Sequence, residues 1–526
     1  MKKSLPVLLT FCMLAFTTKT YSQAGARYLS ETFSSVTVST NVTYGNNISV
    51  LTGTPSSIPL VMDVYQPTGD VLTARPLIIV LHAGSFLPSV ANGMAIGKRT
   101  DSAVVEMCMK FAKRGYVAVS ADYRLGWNAL STNQDVRTGT LLNAVYRGLQ
   151  DAKNCVRFFK NDAATTNVYK IDVNRIAVGG FGAGAYLALA YGSLNKTAEL
   201  NLSKFINQSA TPPASYVNQL TSGNFDGTDA TVLNTPNYAT QSSSINVAFS
   251  LGGAAGDSSW IEAGETPIIC LHAYKDPYAP YKTGNVIVAA TGQFVVEASG
   301  SFDATKRSTR LGNQAIFQNS VYNDVYSTKA IANSAGIPGL YTHITPTPGP
   351  NMSCTGANAN PQIEQSAPWD WWNEPVFIAS YNLYSNSLNG TPLACKLKLE
   401  NPDMSATKGR KYMDTIQGFL NPRLVCALNL AGCVPASNVG IQNISNGSDL
   451  SIYPNPATSE INYVISDGNT IKKIDLFDAT GRIVISLDGL NTNKFTLNRN
   501  QLNQGLYFSK IELGNKTILS KKIIIQ

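Results

Sequence analysis

Apolar runs alternate with helical spacings over residues 24 to about 430, which predicts a mostly parallel α/β domain. Residues 76–82 form an apolar, β-branched run typical of a strand buried on both faces. Residues 102–114 place apolar side chains on one helical face. Such alternation favours a doubly wound sheet, which binds ligands at the carboxyl ends of its strands. Further predicted strands are 116–121, 175–179, 247–251, 267–272 and 340–344, and further helices are 141–161 and 183–191.

Two polar stretches interrupt this alternation. Residues 199–243 are rich in Ser and Thr and contain Pro212 and Pro213, and residues 283–312 form a second insertion. The first stretch lies where a lid over a binding site would be inserted. Decoration of the surface is an equally good interpretation of both.

The pattern changes again towards the C-terminus. Residues 434–450 are rich in Asn, Ser and Gly, which is typical of a linker. Residues 451–526 show short strand patterns separated by turn residues, and 474–485 has the pattern of a hairpin with its turn at 478–481. We predict a small all-β sandwich for this segment, separate from a domain over residues 24–433.

The N-terminus has the pattern of a secretory signal peptide over residues 1–23. Lys2 and Lys3 precede an apolar stretch over 5–16, and small residues Thr20 and Ser22 mark a cleavage site. The alternative, a membrane anchor, is disfavoured because ~12 apolar residues are too few to span a bilayer.

Charge and histidine content exclude two classes of function. The net charge is +8, from 41 basic and 33 acidic residues in a chain of 526, but the basic residues form no cluster, so no nucleic-acid partner is expected. The sequence has only three histidines, which argues against a histidine-rich metal site. We expect no metal and no cofactor.

The cysteines permit disulfides in an exported protein. Cys426 and Cys433 close a short loop and are the simplest pair to propose. Cys354 with Cys395, and Cys108 with Cys155, are further possible pairs. Cys270 lies inside an apolar strand and is expected to be a buried thiol.

The segment Gly180-Phe181-Gly182-Ala183-Gly184 follows a predicted strand and opens a helix. It resembles the nucleophile elbow G-x-S-x-G, in which a serine sits at a tight strand-to-helix turn between small neighbours. Gly182 occupies the serine position, so the turn is kept without a hydroxyl group. A phosphate-binding loop is the alternative interpretation of these small residues taken alone.

Three motifs in order resemble carboxylesterases and hormone-sensitive-lipase-like esterases, a family of the α/β-hydrolase fold, over residues 60–425. In chain order they are His82-Ala83-Gly84-Ser85, Asp122-Tyr123-Arg124-Leu125-Gly126, and the run from Asp151-Ala152 to the elbow. The first is similar to the H-G-G-x oxyanion loop. The resemblance implies an oxyanion hole made by the backbone N–H groups of Gly84 or Ser85 and of Ala183.

The same resemblance implies a catalytic acid and a base. Asp276, after the strand at 267–272, matches the family's triad aspartate, although aspartate before proline is also a common turn former. The loop that would carry the catalytic histidine ends in Asn351. His343 is the fallback base, although a histidine within a strand is more often a packed core residue.

These substitutions favour a non-catalytic, ligand-binding protein on a hydrolase scaffold. The alternative is a carboxylic-ester hydrolase with an unrecognised nucleophile or base; a structural surface protein is a third hypothesis. Trp127 and Trp260 are candidate contacts for an ester or glycan-like ligand, although tryptophan more often packs in a core.

The C-terminal segment, residues 451–526, resembles the C-terminal sorting domain of the type IX secretion system. After Sec export directed by the predicted signal peptide, this resemblance implies passage across the outer membrane by the type IX machinery, release or attachment at the surface, and removal of this domain. A carbohydrate-binding sandwich is the alternative.

Overall fold

In a computed structural model of the protein, an eight-stranded mixed sheet forms the centre of the larger of two units, which divide between Val434 and Pro435. The structure describes residues 27–89, 91–288, 291–345, 365–384, 390–436, 450–466, 468–499, 502–515 and 517–526. The predicted signal peptide, Asn351 and most of the predicted linker lie outside these residues.

The strands of this sheet are β1 (Val36–Ser49), β2 (Ser56–Pro67), β3 (Arg75–Leu81), β4 (Val117–Ala121), β5 (Ile171–Phe181), β6 (Val247–Leu251), β7 (Ile268–Ala273) and β8 (Leu340–His343). Their order in the sheet is β1-β2-β4-β3-β5-β6-β7-β8, and β2 is antiparallel to both of its neighbours while the other pairs are parallel. This confirms the predicted doubly wound, mostly parallel sheet.

Helices pack on both faces of this sheet. They are α1 (Ser102–Lys113), α2 (Gln134–Ala164), α3 (Ala183–Ser193), α4 (Ser301–Arg310), α5 (Val325–Asn333), α6 (Glu374–Tyr384), α7 (Gly390–Glu400) and α8 (Ala406–Ala427). Short helical turns lie at Thr197–Asn201, Ser203–Phe205, Gln219–Ser222, Ser258–Trp260 and Ala315–Gln318.

Alternate residues of the central strands supply two separate cores. In β3, Leu77 and Ile79 pack with α2, whereas Ile78 and Val80 pack with α1 and α8. The predicted Cys108–Cys155 disulfide is therefore wrong, because α1 and α2 lie on opposite faces of the sheet.

The remaining cysteines were predicted in part. Cys108, Cys155 and Cys270 are all buried free thiols, as expected for Cys270. The disulfide between Cys426 and Cys433 is confirmed. Cys395 is disulfide-bonded, but its predicted partner, Cys354, lies outside the described residues.

The insertion at 199–243 is fastened to α2 by buried polar side chains. Tyr146 donates a hydrogen bond of 2.8 Å to the carbonyl of Gly223, and Gln150 donates one of 2.7 Å to that of Ser222. Lys153 forms an ion pair of 2.9 Å with Asp226. Within the insertion, Ile206–Asn207 pairs with Ala214–Ser215.

The second predicted insertion, 283–312, contains a hairpin and then α4. The hairpin strands are Gly284–Ile287 and Phe294–Gly300, and the second also pairs with Ala254–Ala255. This hairpin brings Val286, Val295 and Val296 to the cavity described below.

The smaller unit has a three-stranded and a four-stranded antiparallel sheet around one apolar core, which confirms the predicted all-β domain. The predicted hairpin over 474–485 is present, and Asp478 Oδ1 accepts the backbone N–H of Thr480 at its turn. The strands are β9 (Leu450–Tyr453), β10 (Glu460–Ile465), β11 (Ile471–Asp478), β12 (Ile483–Leu487), β13 (Lys494–Asn498), β14 (Gly505–Leu513) and β15 (Ile518–Ile525).

Within the described parts of the chain, no helix has both the length and the apolar character needed to cross a membrane. The same residues contain no group of three or more His, Cys, Asp or Glu side chains placed to hold a metal ion.

Candidate functional site

The turn between β5 and α3 has the tight geometry of a nucleophile elbow. Gly182 has φ +48° and ψ −113°, and its N–H donates to the carbonyl of Leu251 at 2.9 Å. A Cβ on Gly180 would lie 2.5 Å from the backbone of Gly184, and one on Gly184 would overlap the carbonyl of Leu81. The small neighbours are thus required by close backbone packing, as the pattern predicts.

The loop after β3 has three consecutive residues with positive φ. These are Gly84, Ser85 and Phe86, with φ of 110°, 53° and 58°. The carbonyl of Ser85 accepts a hydrogen bond of 2.7 Å from the indole of Trp127, and that of Phe86 accepts one of 2.8 Å from the N–H of Gly126. The loop is therefore held through its carbonyl groups.

The N-terminus of α3 supplies a further backbone donor. Ala183 is the first residue of this helix, so its N–H has no acceptor within the helix. Gly84, Ser85, Gly182 and Ala183 all line one cavity, so the residues of the predicted oxyanion hole lie around the space at the elbow.

That cavity is mainly apolar and has a volume of about 170 Å³. Both predicted ligand-contact residues line it. Trp260 is buried, and its indole donates to the carbonyl of Glu199 at 3.1 Å. Other apolar lining residues are Phe86, Met94, Ile96, Leu141, Leu142, Val145, Phe205, Val286, Val295 and Val296.

Asp276 lines the same cavity as Gly182. Its Oδ1 accepts the backbone N–H groups of Tyr278 at 2.8 Å and Ala279 at 3.0 Å, which fixes the carboxyl group. Burial raises the pKa of Asp276 to about 7, despite the two hydrogen bonds that lower it.

The histidine that approaches this carboxyl group is His272, which the sequence analysis did not consider for the site. Its Nε2 lies 3.7 Å from Asp276 Oδ2 and hydrogen bonds to the carbonyl of Ala279 at 3.0 Å, while Nδ1 contacts Ser301 Oγ at 2.8 Å. Burial lowers the pKa of His272 to about 4, so the ring is neutral at pH 7. Both ring nitrogens therefore already have hydrogen-bond partners within the protein.

His343 is the last residue of β8 and is buried. Its ring packs at centroid distances of 4.6 Å from Tyr341, 5.6 Å from Trp369 and 5.7 Å from Tyr412. Burial lowers the pKa of His343 to about 3, and its Nε2 has no hydrogen-bond partner. Among the described residues that line the cavity there is no histidine.

Tyr186, Trp369 and Asp370 also line the cavity; the sequence marked Trp369 as a possible ligand contact, but it gave no such role to Tyr186 or Asp370. The hydroxyl of Tyr186 is buried without a hydrogen-bond partner. Burial, with Asp101 nearby, holds the pKa of Asp370 well above its usual range. The aromatic run at 369–372 is visible in the sequence, but nothing marks the aspartate inside it.

The motif residues Arg124 and Asp151 have a structural role away from the elbow. The guanidinium Nε of Arg124 lies 2.9 Å from the Asp151 carboxylate, and both side chains are completely buried. Arg124 also donates to the carbonyls of Ile48 and Leu233. This ion pair joins β1, α2 and the insertion at 199–243.

Two family models match the chain. Residues 62–290 match the BD-FAE family, an esterase-like α/β-hydrolase domain, and residues 451–526 match the secretion system C-terminal sorting domain. The first match includes the elbow, the loop after β3 and Asp276, and it confirms the esterase resemblance. The second confirms the sorting domain, which implies contact with the type IX machinery and secretion to the cell surface or beyond.

Solved structures with similarity to the chain include those of Thermogutta terrifontis esterase 2. The form phosphorylated by paraoxon is 18% identical, with 47% of this chain and 73% of that chain covered and a TM-score of 0.29. The propionate-bound form is 19% identical, with 43% and 70% covered and a TM-score of 0.26. No curated protein matches the sequence.

Proposed function

The chain carries an esterase-like α/β-hydrolase domain of BD-FAE type and a type IX sorting domain, and we propose that it is an exported ligand-binding protein without serine-nucleophile hydrolysis. The observation that carries this proposal is Gly182. The elbow conformation is present, but the residue there has no side chain to attack an ester. Loss of the nucleophile typically costs ~10⁶-fold in kcat.

The proposed ligand is largely apolar, with one oxygen that accepts hydrogen bonds. The apolar walls of the cavity favour an acyl or aryl group, and Trp127 and Trp260 supply flat surfaces for contact. Backbone N–H groups of Gly84 or Ser85 and of Ala183 would bind a carbonyl oxygen, because they are fixed by the backbone and need no serine. An ester, or a glycan carrying such a group, fits this description.

In this proposal Asp276 and Asn351 are remnants of a triad rather than a working acid and base. An asparagine cannot take a proton from a nucleophile. The packing of His343 among Tyr341, Trp369 and Tyr412 supports a core role for it rather than a fallback base.

For export, we propose Sec translocation directed by residues 1–23, then type IX passage directed by residues 451–526. The two ends of the chain would therefore act in sequence at the inner and outer membranes. Nothing in the basic residue pattern supports a nucleic-acid partner.

The test is turnover of p-nitrophenyl acetate by the mature protein, with a heat-denatured sample as the control. We expect no rate above the control and no labelling by a fluorophosphonate. Turnover that stays with the protein through gel filtration would contradict the proposal. Binding of intact p-nitrophenyl esters, measured by tryptophan fluorescence, supplies the positive readout.

A second candidate is ester hydrolysis by water, with a carboxyl group as the base. It is favoured by Asp370, a second carboxyl group at the cavity besides Asp276. If this is the activity, Asp370→Asn abolishes turnover while fluorophosphonate labelling stays absent in both proteins. Turnover that is equal in both proteins excludes Asp370 as the base.

A further inference from the structure

A groove lies beside the cavity, and Trp127 lines both. The volume of the groove is about 660 Å³, and more than half of its lining residues have polar side chains. These polar residues include Asn128, Asn143, Tyr216, Asn218, Thr221 and Ser222.

One charged side chain, that of Arg147, is found among the described residues that line this groove. Arg147 is on α2 and is 3% exposed. Its Nη2 donates to the carbonyl of Gly126 at 2.7 Å, and its Nε has no acceptor. No acidic side chain in the described part of the chain lies within ion-pair distance of it.

The charge of Arg147 is not balanced by its neighbours. Asp151 is the nearby carboxylate, but it is paired with Arg124 at 2.9 Å. The three groups together therefore carry one net positive charge. Burial, with Arg124 close by, lowers the pKa of Arg147 to about 10, which still leaves the guanidinium charged at pH 7. A buried charge without a partner is costly, and an anion in the groove would supply one.

An acidic side chain lies at the edge of the groove. Asp135 accepts a hydrogen bond of 2.6 Å from the hydroxyl of Tyr216 and does not itself line the groove. The lining combines amide and hydroxyl groups with one indole and with the apolar side chains of Val50, Leu51 and Leu233. This chemistry suits a ligand rich in hydroxyl groups that also carries an oxyanion, which arginine binds through charged hydrogen bonds.

We propose that the groove beside Trp127 is a binding site for the carboxylate or sulfate group of an acidic sugar, with Arg147 as the anion ligand. The proposal rests on Arg147 and the groove alone and does not depend on the proposed function of the cavity. It therefore holds or fails whether or not the cavity hydrolyses esters.

The test is isothermal titration of the mature, full-length protein with sodium D-glucuronate, D-glucose 6-sulfate and D-glucose at constant ionic strength. We expect one or both acidic sugars to bind about tenfold or more tightly than glucose, since a hydrogen bond to a charged group contributes ~1.5 to 3 kcal/mol. The tighter of the two acids identifies the group. Equal affinity for all three sugars, or no binding of either acid, overturns the proposal.

The matched variants are Arg147→Met and Arg137→Met. Arg137 is a buried arginine on the same helix, and it donates to the carbonyls of Ser131 and Phe294 away from the groove. We expect Arg147→Met to lose at least tenfold in affinity for the acid and Arg137→Met to keep it. Unchanged affinity in Arg147→Met overturns the assignment.

Arg147 also supports Gly126, so a folding defect needs a separate check. Arg147→Lys keeps the charge but not the guanidinium fork. We expect it to bind the acid more weakly than wild type and to retain the preference for acid over glucose. If Arg147→Lys loses this preference while thermal melting shows a folded protein, charge at this position does not select the ligand and the proposal is overturned.

Discussion

A side chain at position 182 would meet one close neighbour. A Cβ there would lie 3.2 Å from the Cβ of Ala83, so a shift of a few tenths of an ångström accommodates it. The positive φ of Gly182 is strained for any other residue, but the turn is held by hydrogen bonds from Gly182 and Gly184 to Leu251 and His82. The backbone hydrogen bonds thus keep the elbow conformation although Gly182 has no side chain to present there.

The first prediction restores the missing groups. Gly182→Ser alone is expected to fold and to hydrolyse p-nitrophenyl acetate no faster than wild type, because no base activates the hydroxyl. Gly182→Ser with Asn351→His is expected to show weak activity, well below the ~10⁶-fold range of a complete triad, because restored groups rarely have their supporting contacts. Initial rates, with thermal melting as the folding control, give the result.

Equal activity of the single and double variants, with both above wild type, would mean that Asn351 is not the base position. In that case the same measurement on Gly182→Ser with His343→Gln tests the fallback base. A drop in rate there would show that His343 reaches the elbow after all.

The second prediction concerns Asp276 and pH. Its pKa is raised from 3.8 to about 7, so the folded state holds this proton more tightly than the unfolded state does. The resulting stabilisation is complete below pH 3.8 and is lost as the pH rises through 7, by at most ~1.4 kcal/mol per pH unit. Asp276→Asn removes this dependence, since an amide does not titrate.

His272 and His343 act in the opposite direction. Their pKa values are lowered from 6.5 to about 4 and about 3, so they contribute stability that is lost as the pH falls below 6.5. The measurement is therefore the difference in unfolding free energy between wild type and Asp276→Asn, from urea titrations between about pH 4 and pH 8. A difference that does not change with pH would contradict the raised pKa.

At the scale of elements, α2 is unusual because many of its buried residues are polar or charged. They include Arg147, Gln150, Asp151, Lys153, Asn154 and Arg157. Of these, Gln150 and Arg157 donate to backbone carbonyls of the insertion at 199–243, and Lys153 pairs with its Asp226. The insertion is held by directional polar bonds, and it contributes Phe205 to the cavity.

The third prediction tests the centre of this polar interface. Asp151→Asn leaves the Arg124 charge buried without a counter-charge and is expected to lower the unfolding free energy by ~3 to 5 kcal/mol. The matched control is Asp172→Asn, which breaks the more exposed pair with Arg175 at 3.5 Å and is expected to cost under ~1 kcal/mol. Chemical denaturation compares the two, and similar losses would count against a special role for Asp151.

Strands buried on both faces were predictable because a short apolar run rich in β-branched residues favours a strand over a helix. The strands β1 and β2 were not predicted. In β1 the apolar pattern is weak, because this strand is rich in Ser, Thr and Asn and lies at the edge of the sheet. At the site, the elbow followed from the spacing of its small residues. The approach of His272 to Asp276 depends on the turn at 273–279, and Asp370 reaches the cavity from a distant segment, so neither had a local signal.

At the scale of the whole molecule, the chain divides into two units with separate apolar cores. The cavity, the groove beside Trp127 and the Cys426–Cys433 disulfide all belong to the first unit. The second unit has the sorting-domain match. In our proposal, ligand binding belongs to the first unit and delivery to the second.

The fourth prediction separates these parts. A chain truncated after Val434 is expected to fold with a melting temperature close to that of the full chain and to bind the same ligands, but to remain inside the outer membrane. Fractionation of cells that express each form measures export, and melting of the purified proteins measures folding. Correct export of the truncated chain would refute the sorting role of residues 451–526.

Gly126 links the cavity to the groove beside Trp127. Its N–H donates to the carbonyl of Phe86 in the loop after β3, and its carbonyl accepts a hydrogen bond from Arg147 in the groove. In our proposal, an anion that draws the guanidinium towards the groove would act on this loop through Gly126. If a ligand in the groove changes the affinity of the cavity for its own ligand by some factor, the cavity ligand must change the affinity of the groove by the same factor.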